Sequence, residues 1–284
     1  MRTSIDCFPC MMRQASTAAR LAQPHNLAAQ ELVMRRFAEK LATQDLSVPP
    51  PGVLRHLYAI AREACPNGDP YAAEKAEANN RALALLPALR DTIRTSADPL
   101  LTALHLSVIG NYLDPGAGLD VDVEDALRKE CSSVLGATPA YATFRERARD
   151  GASVLVIGDN CGEVALDTLL VGELLRAGCR VTYATRDVPV LNDATLEDAA
   201  TVGMNDLCTV ISSGCDAPGC ELDRCSPTFL HLLDRTDVVV AKGQGNYESM
   251  ESRRTDTFHA FKAKCAVVVS ALGVPPGTTM FLHL

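Results

Sequence analysis

The second half of this chain repeats one pattern, in which a short apolar run rich in β-branched residues is followed by a stretch of helical character. The runs are SVLVI (153–157), RVTYAT (180–185), CTVISS (208–213), DVVVA (237–241) and CAVVVS (265–270). Such runs are typical of strands that are covered on both faces. Their alternation with helices predicts a mostly parallel sheet with right-handed crossovers.

The first half of the chain has a different texture, because its apolar residues recur at helical spacing among Ala, Glu, Lys and Arg. The helical segments are NLAAQELVMRRFAEKLA (26–42), PYAAEKAEANNRALALL (70–86), VEDALRKECSSVLG (123–136) and, after the first strand, EVALDTLLVGELLRAG (163–178). Gly178 fits the C-terminal cap of the last one. We therefore predict an α/β protein with a mainly helical domain over residues 1–150 and an α/β domain over residues 151–284.

The composition limits the class of protein. Hydrophobic residues make up 47% of the 284 residues, which is enough for a sizeable core. The net charge of -8 argues against a broad nucleic-acid surface and against anionic membranes. The 11 cysteines are irregularly spaced and odd in number, unlike a secreted disulfide framework. Since no apolar run could span a bilayer and the N-terminus lacks a signal-peptide core, we expect a cytoplasmic location.

Polar residues follow the predicted strands, and the carboxyl ends of parallel strands meet at one edge, where ligands collect in open sheets. Asp159 and Asn160 follow the first strand, and Asp193 follows the second. The substrate-binding candidates after the third and fourth strands are Asp216, Lys242, Gly243 and Gly245. The two glycines would let the backbone approach a phosphate closely. We expect all these residues at one rim.

The acidic residue in the turn after the first predicted strand, together with the one after the second strand, favours a bound cation. A carboxylate there would repel a phosphate, and two carboxylates would repel each other, whereas a divalent ion neutralises both and leaves positions for a phosphate oxygen and a water. Carboxylate and amide oxygens are hard ligands that suit Mg²⁺ or Mn²⁺, with Ni²⁺ and Co²⁺ left open. We predict that Asp159, Asn160 and Asp193 hold this ion and that Lys242 binds the far side of the phosphate.

These residues also have ordinary structural explanations. Asp159 and Asp193 each precede a predicted helix and could serve as its N-cap. Lys242 could be a solvated strand end, and Asp216, before Ala-Pro-Gly, could be a turn residue. Their meeting at one edge of the sheet is what favours a metal and phosphate site.

Segments throughout the chain resemble the damage-control phosphatase family, also described as the acidic-residue-methyltransferase-like metal-binding domain and formerly as a domain of unknown function. In the α/β half they are GDNCGE (158–163), VLNDAT (190–195), GCDAPG (214–219), AKGQGNYE (241–248) and KAKCAVVVSALGV (262–274). In the helical half they are DCFPC (6–10), DPYAAEKAEAN (69–79) and GNYLDPGAG (110–118). The N-terminal Cys-x-x-Cys is similar to that of the smaller, prokaryotic branch.

This resemblance implies a helical domain packed on a Rossmann-like three-layer α/β/α domain. It implies a divalent-metal-dependent phosphatase that acts on small phosphorylated metabolites such as sugar phosphates, in metabolite damage control. It carries the metal-ligand role to the same three residues and the phosphate-side role to Lys242. Cys161 stands where the family has alanine and Cys220 where it has threonine; Cys161 could shift the metal preference toward softer ions.

The helical half offers further candidates. Asn111 and Asp114 lie three apart on one predicted helix face, and we expect them to form part of the site wall. Lys75 and Asn79 lie four apart on another face. An ordinary polar contact or a solvated face is the alternative for both pairs.

Cys7 and Cys10 form a single Cys-x-x-Cys at the start of the chain. A structural zinc site normally needs two more ligands. The cysteines that could supply them are Cys220, Cys225 and Cys265. Sequence spacing alone leaves a metal, redox or purely structural role open.

We predict phosphomonoester hydrolysis with water as the nucleophile. An aspartyl-phosphate on Asp159 is the alternative, although Asn160 and Cys161 replace the Asp-x-Asp pattern of that chemistry. Two other classes are an S-adenosylmethionine-dependent methyltransferase, which the lack of Gly-x-Gly in the first turn disfavours, and a non-enzymatic metal or thiol binding module. The expected partner is a small phosphorylated metabolite, with neither nucleic acid nor membrane.

Overall fold

The computed structural model describes residues 1–109 and 138–284, in which helices come first and a six-stranded sheet follows. The leading helices are α1 (Cys7–Ala22), α2 (Leu27–Ala42), α3 (Pro50–Ala64), α4 (Ala72–Thr95), α5 (Pro99–Ile109) and α6 (Pro139–Arg147). The alternating part comprises β1 (Ser153–Ile157), α7 (Glu163–Arg176), β2 (Arg180–Thr185), α8 (Leu196–Thr201), β3 (Thr209–Ser212), α9 (Pro227–Arg235), β4 (Val238–Lys242), α10 (Gln244–Met250), β5 (Phe258–Lys262), α11 (Ala266–Leu272) and β6 (Thr279–His283). Across these two ranges, no helix is both long enough and apolar enough for a bilayer crossing.

The strands lie in the order β3-β2-β1-β4-β5-β6, and the α/β fold with a mostly parallel sheet is confirmed. The first five are parallel to one another and β6 is antiparallel to β5. The chain therefore moves outward from β1 to β3 and then returns to place β4 on the other side of β1. The carboxyl ends of β1 and β4 meet at this reversal of strand order, where open α/β sheets bind ligands.

The hydrophobic interior is divided into clusters, of which one joins α4, α5 and α6 to the sheet and another joins α1, α2 and α3 to one another. In its largest cluster, Leu86 of α4 and Leu104 of α5 pack with Leu170 of α7, Val156 of β1 and Phe144 of α6. The leucines of α7 (Leu166, Leu169, Leu170 and Leu174) are all buried, and Gly178 follows this helix with a φ of +83°. Because the largest cluster crosses residue 150, the helical residues in it support the sheet directly, and the division there stays a prediction.

The predicted helices at 26–42, 70–86 and 163–178 are confirmed, whereas the segment 123–136 lies outside the described residues. The strand predicted for CAVVVS is wrong, since these residues lie in helix α11. Only Val268 is fully buried in that helix, so its valines pack on one side only. The actual fifth strand is FHAFK (258–262), whose five residues are all buried although it contains His and Lys. In both segments, burial in the tertiary structure outweighed the local secondary-structure propensity.

Candidate metal and phosphate site

The loops that follow β1 and β2 are joined by main-chain hydrogen bonds. Asn160 and Asp193 form an isolated antiparallel bridge. The N–H of Cys161 donates to the carbonyl of Asn192 over 2.8 Å, and the N–H of Ala194 donates to the carbonyl of Asp159, also over 2.8 Å. This backbone clasp brings Asp159, Asn160 and Asp193 together, although Asn160 and Asp193 lie 33 positions apart in sequence.

Neither aspartate is the N-cap of the helix that follows it. Helix α7 begins after Gly162, whose φ is +84°. Helix α8 begins after Thr195, whose N–H donates to Asp198 over 2.9 Å. The capping alternative therefore does not account for Asp159 or Asp193, which are 9% and 1% exposed.

The two carboxylates are placed where they disfavour each other's charge. Burial, and then the neighbouring Asp193, raises the pKa of Asp159 to about 7. Burial also raises the pKa of Asp193, against the opposing effect of Arg186. Two buried carboxylates beside an amide oxygen form a hard donor set that fits a divalent cation, because the cation removes this repulsion.

A cavity of about 130 Å³ opens beside these side chains. Its lining residues are Asp159, Asn160, Leu191, Asp193, Pro218, Gln244, Gly245, Lys262 and Lys264. Lys262 and Lys264 supply positive charge on the wall, and the Gln244 side chain holds their loop by accepting from the N–H of Lys264 over 2.9 Å. Sequence reasoning missed both lysines because it assigned the residues after them to a strand, so they did not appear as a strand end.

Lys242 does not reach this cavity wall. Its side chain is fully buried, and its ammonium donates to Asp167 over 2.8 Å, to Glu163 over 3.3 Å and to the carbonyl of Ser107 over 2.7 Å. Buried carboxylates behind the site hold the charge of Lys242, and its contact with a phosphate stays a prediction.

The two glycines after β4 are needed for close packing. Gly243 has a φ of +82°, and a Cβ there would lie 1.9 Å from Oδ2 of Asp159. A Cβ on Gly245, which lines the cavity, would lie 2.1 Å from the carbonyl oxygen of Pro218. Asn246 then donates to the carbonyls of Gly158 and Lys242, which ties the ends of β1 and β4 together.

Asp216 is held by two arginines, and its role in substrate binding stays a prediction. Arg55 of α3 lies 3.1 Å from its carboxylate, and Arg224 lies 2.5 Å from it. Burial would raise the pKa of Asp216, but hydrogen bonds from Arg224 and Arg55 outweigh it and lower the pKa to about 2. Asp216 does not line the cavity and here fastens its loop to the helical half.

Helix α4 contacts the loops that carry the candidate ligands. Oδ1 of Asn79 accepts from the N–H of Gly162 over 2.7 Å, and Lys75 pairs with Asp69 at 3.0 Å and Asp198 at 2.7 Å. Both residues were singled out in the sequence, and both make buried polar contacts. Asn111 and Asp114 lie outside the described residues.

The cysteines do not extend the site. The buried Cys161 thiol interacts electrostatically with Asp198, Lys75 and Asp193, but it does not line the cavity. Cys7 is buried and Cys10 is exposed, both in the first turn of α1. Within 1–109 and 138–284, no three His, Cys, Asp or Glu side chains are arranged to hold a metal. The candidate metal site therefore depends on the amide of Asn160.

Comparison with known proteins gives one consistent family. Residues 3–280 match the model described as the damage-control phosphatase ARMT1-like domain. The chain is 28% identical to a damage-control phosphatase of Pyrococcus horikoshii, over 100% of this chain and 98% of that protein. It is 32% identical to a damage-control phosphatase of Archaeoglobus fulgidus, over 74% of each. The crystal structure of the Pyrococcus protein, described as a DUF89 family protein, superimposes with a TM-score of 0.90 at 26% identity, covering 100% and 99% of the two chains.

Proposed function

This chain belongs to the damage-control phosphatase ARMT1-like domain family, and from that premise we propose that it hydrolyses small phosphorylated metabolites with the help of a divalent cation. The observation that supports this most directly is the pair of buried carboxylates, Asp159 and Asp193, clasped together with Asn160 at the edge of a small cavity. When bound, the cation would supply electrophilic stabilisation of phosphoryl oxygens.

The charges around the cavity suit a phosphate dianion. Two carboxylates carry two negative charges, which a divalent ion would balance. Lys262 and Lys264 on the wall then leave the site positive. Positive groups fixed before the reaction stabilise the charge that phosphoryl transfer spreads over the equatorial oxygens. In this proposal, the two wall lysines take the role that the sequence suggested for Lys242.

Lys242 acts from behind the site. Its ammonium compensates Glu163 and Asp167, which would otherwise be buried charges next to Asp159. Burial, against the opposing effect of Lys242, raises the pKa of Glu163 to about 7. By holding these carboxylates, Lys242 keeps further negative charge from weakening the site's affinity for phosphate.

The cavity size indicates which part of the substrate is enclosed. Pockets that enclose whole drug-sized ligands measure roughly 300–1,000 Å³. At about 130 Å³, this cavity suits a phosphoryl group and few additional atoms. We therefore propose that the carbon skeleton lies largely outside, which suits a phosphatase acting on several sugar phosphates or related reactive metabolites.

The test is a phosphate-release screen on protein stripped with a chelator. Sugar phosphates and other phosphomonoesters would be incubated with Mg²⁺, Mn²⁺, Ni²⁺ or Co²⁺, and orthophosphate measured. The informative variant is Asp159→Asn. Its matched control is Asp187→Asn, since Asp187 is an exposed aspartate after β2 that accepts from Ser212 over 2.7 Å.

We expect metal to restore activity and to raise the melting temperature in the wild type and in the control but not in Asp159→Asn. S-adenosylmethionine should leave the melting temperature unchanged. Phosphate release that is indifferent to chelation would contradict the metal-dependent proposal. A thermal shift with S-adenosylmethionine, in a protein that releases no phosphate, would favour the methyltransferase class.

A further inference from the structure

Arg186, the first residue after β2, lies between the two candidate metal-binding carboxylates. Its Nε donates to Oδ2 of Asp193 over 2.6 Å, and its Nη2 lies 3.7 Å from Oδ1 of Asp159. The side chain is 1% exposed and does not line the cavity. Arg186 therefore contacts the ligands but not the space where a substrate would bind.

The guanidinium of Arg186 does not use all of its hydrogen-bond donors in this arrangement. Within residues 1–109 and 138–284, neither Nη1 nor Nη2 has a hydrogen-bond partner, although both atoms are buried. Buried N–H groups without partners are uncommon and costly. A movement of less than about 1 Å by the Asp159 carboxylate would bring it within hydrogen-bond distance of Nη2. The fork of Arg186 is thus placed to hold both carboxylates at once.

We propose that Arg186 is a positioning residue for the metal site, fixing the orientations of Asp159 and Asp193 so that both face a divalent cation. The inference rests on the proposed function, because it assumes that these residues hold the ion. Groups hydrogen-bonded to metal ligands set ligand orientation, and their mutation typically weakens metal binding by about 10- to 100-fold. A planar guanidinium can donate to two carboxylates in fixed directions, whereas a lysine ammonium is a single point of charge.

The sign of the effect on metal binding separates positioning from simple charge compensation. Arg186 carries a positive charge close to the proposed cation. If it were only a counter-ion, its removal would abolish this repulsion and strengthen metal binding. If it positions the ligands, its removal weakens metal binding despite the loss of repulsion. Arg186→Lys keeps the charge and loses the fork, so it tests orientation alone.

The experiment is calorimetric titration of Mn²⁺ into metal-free protein, at a temperature well below each melting transition, for wild type, Arg186→Met and Arg186→Lys. The matched control is Arg254→Met, because Arg254 also pairs with an aspartate, Asp234 at 3.3 Å, and also has a buried, unpaired Nε. Orthophosphate is then titrated into the Mn²⁺-loaded proteins.

We expect about 10- to 100-fold weaker Mn²⁺ binding in both Arg186 variants and no change in the control. Tighter Mn²⁺ binding by Arg186→Met, or unchanged binding by Arg186→Lys, would overturn the inference. So would weaker orthophosphate binding with unchanged Mn²⁺ binding, which would make Arg186 a phosphate ligand. Failure of the wild type to bind any divalent ion would instead contradict the proposed function.

Discussion

The side chain of Asn79 in helix α4 accepts a hydrogen bond from the backbone N–H of Gly162 over 2.7 Å, with both residues buried. Gly162 ends the loop that carries Asp159 and Asn160. A residue of the helical half therefore fixes the loop that supplies two of the three candidate ligands. The helices do more than cover the sheet, since they hold the loops at its carboxyl edge.

Replacing Asn79 by alanine should both destabilise the protein and disturb the site. The N–H of Gly162 would lose its acceptor in a buried position, which costs about 1–3 kcal/mol. Asn80→Ala is the matched control, because Asn80 is the exposed neighbour in the same helix. Urea unfolding and Mn²⁺ titration should show both losses in Asn79→Ala only. Equal effects of the two variants would mean that helix propensity, and not this hydrogen bond, was being measured.

Replacing Lys242 should mainly reduce stability, whereas replacing Lys264 should mainly reduce phosphate affinity. Lys242→Met leaves buried carboxylates without their partner, so we expect the free energy of unfolding to fall by about 3–5 kcal/mol. Lys264→Met removes an exposed charge on the cavity wall, so stability should change little. Its orthophosphate affinity should fall by about tenfold or more, because a hydrogen bond to a charged group contributes about 1.5–3 kcal/mol.

Urea unfolding and orthophosphate titration of the metal-loaded proteins would distinguish the two lysines. If Lys242→Met were stable but did not bind phosphate, this result would support the direct contact between Lys242 and phosphate that the sequence predicts. Unchanged phosphate affinity in Lys264→Met would remove Lys264 from the proposed site.

Gly243→Ala should abolish the response to metal. An added Cβ would lie 1.9 Å from Oδ2 of Asp159, so the carboxylate has to move away. The control is Gly151→Ala, whose φ of +80° imposes a similar backbone cost but which has nothing within 4 Å of the new Cβ. Both variants should lose at least about 1 kcal/mol of stability because of the positive φ, and Gly243→Ala should lose more because the carboxylate has to move. Thermal shift with Mn²⁺ should vanish only in Gly243→Ala, and a retained shift there would show that the carboxylate is not needed in its present position.

Glu248 should make stability depend on pH. Its side chain is 6% exposed, and burial, partly offset by a hydrogen bond from Gln244, raises its pKa to about 7. An acid whose folded-state pKa is raised loses stability as pH rises from its unfolded value toward the folded value. Glu248→Gln removes this cost, so the variant should gain more stability over wild type at pH 8 than at pH 5, by at most about 3 kcal/mol.

Urea unfolding at the two pH values measures the effect of Glu248→Gln. Glu146→Gln serves as the control, because Glu146 is exposed, and it should show no such difference. A larger gain at pH 5 than at pH 8 would contradict the sign of the predicted effect.

The sequence predicted the site better where strand ends were clear than where burial overrode local pattern. Asp159 and Asp193 follow strands with strong β-branched runs, so their meeting could be anticipated from parallel topology. Lys262 ends a strand that contains Phe258, His259 and Phe261, and no periodic pattern of apolar residues marks this strand. Nor does the sequence predict that the Lys242 side chain points inward, because a lysine at a strand end can equally well face solvent or pair with a buried carboxylate.

Arg186 shows a second limit of sequence reasoning. Arg186 and Asp187 are adjacent charged residues that the sequence does not distinguish. Only the folded chain shows that Arg186 is buried between two carboxylates while Asp187 is exposed. Leu191 is similar, since its φ of +50° and its place on the cavity wall have no signature in residue type. Such features depend on loop geometry, which neighbouring residues in sequence do not determine.

The main-chain clasp between Asn160 and Asp193 has a consequence for the entropy of ion binding. Its hydrogen bonds use backbone groups of Cys161, Asn192, Ala194 and Asp159, so they do not depend on an ion being present. The amide hydrogens of Cys161 and Ala194 should therefore exchange slowly with solvent even in the metal-free protein. Because the two loops are already ordered, the chain loses little conformational entropy when an ion binds. More of the interaction energy between the ion and its ligands therefore contributes to affinity.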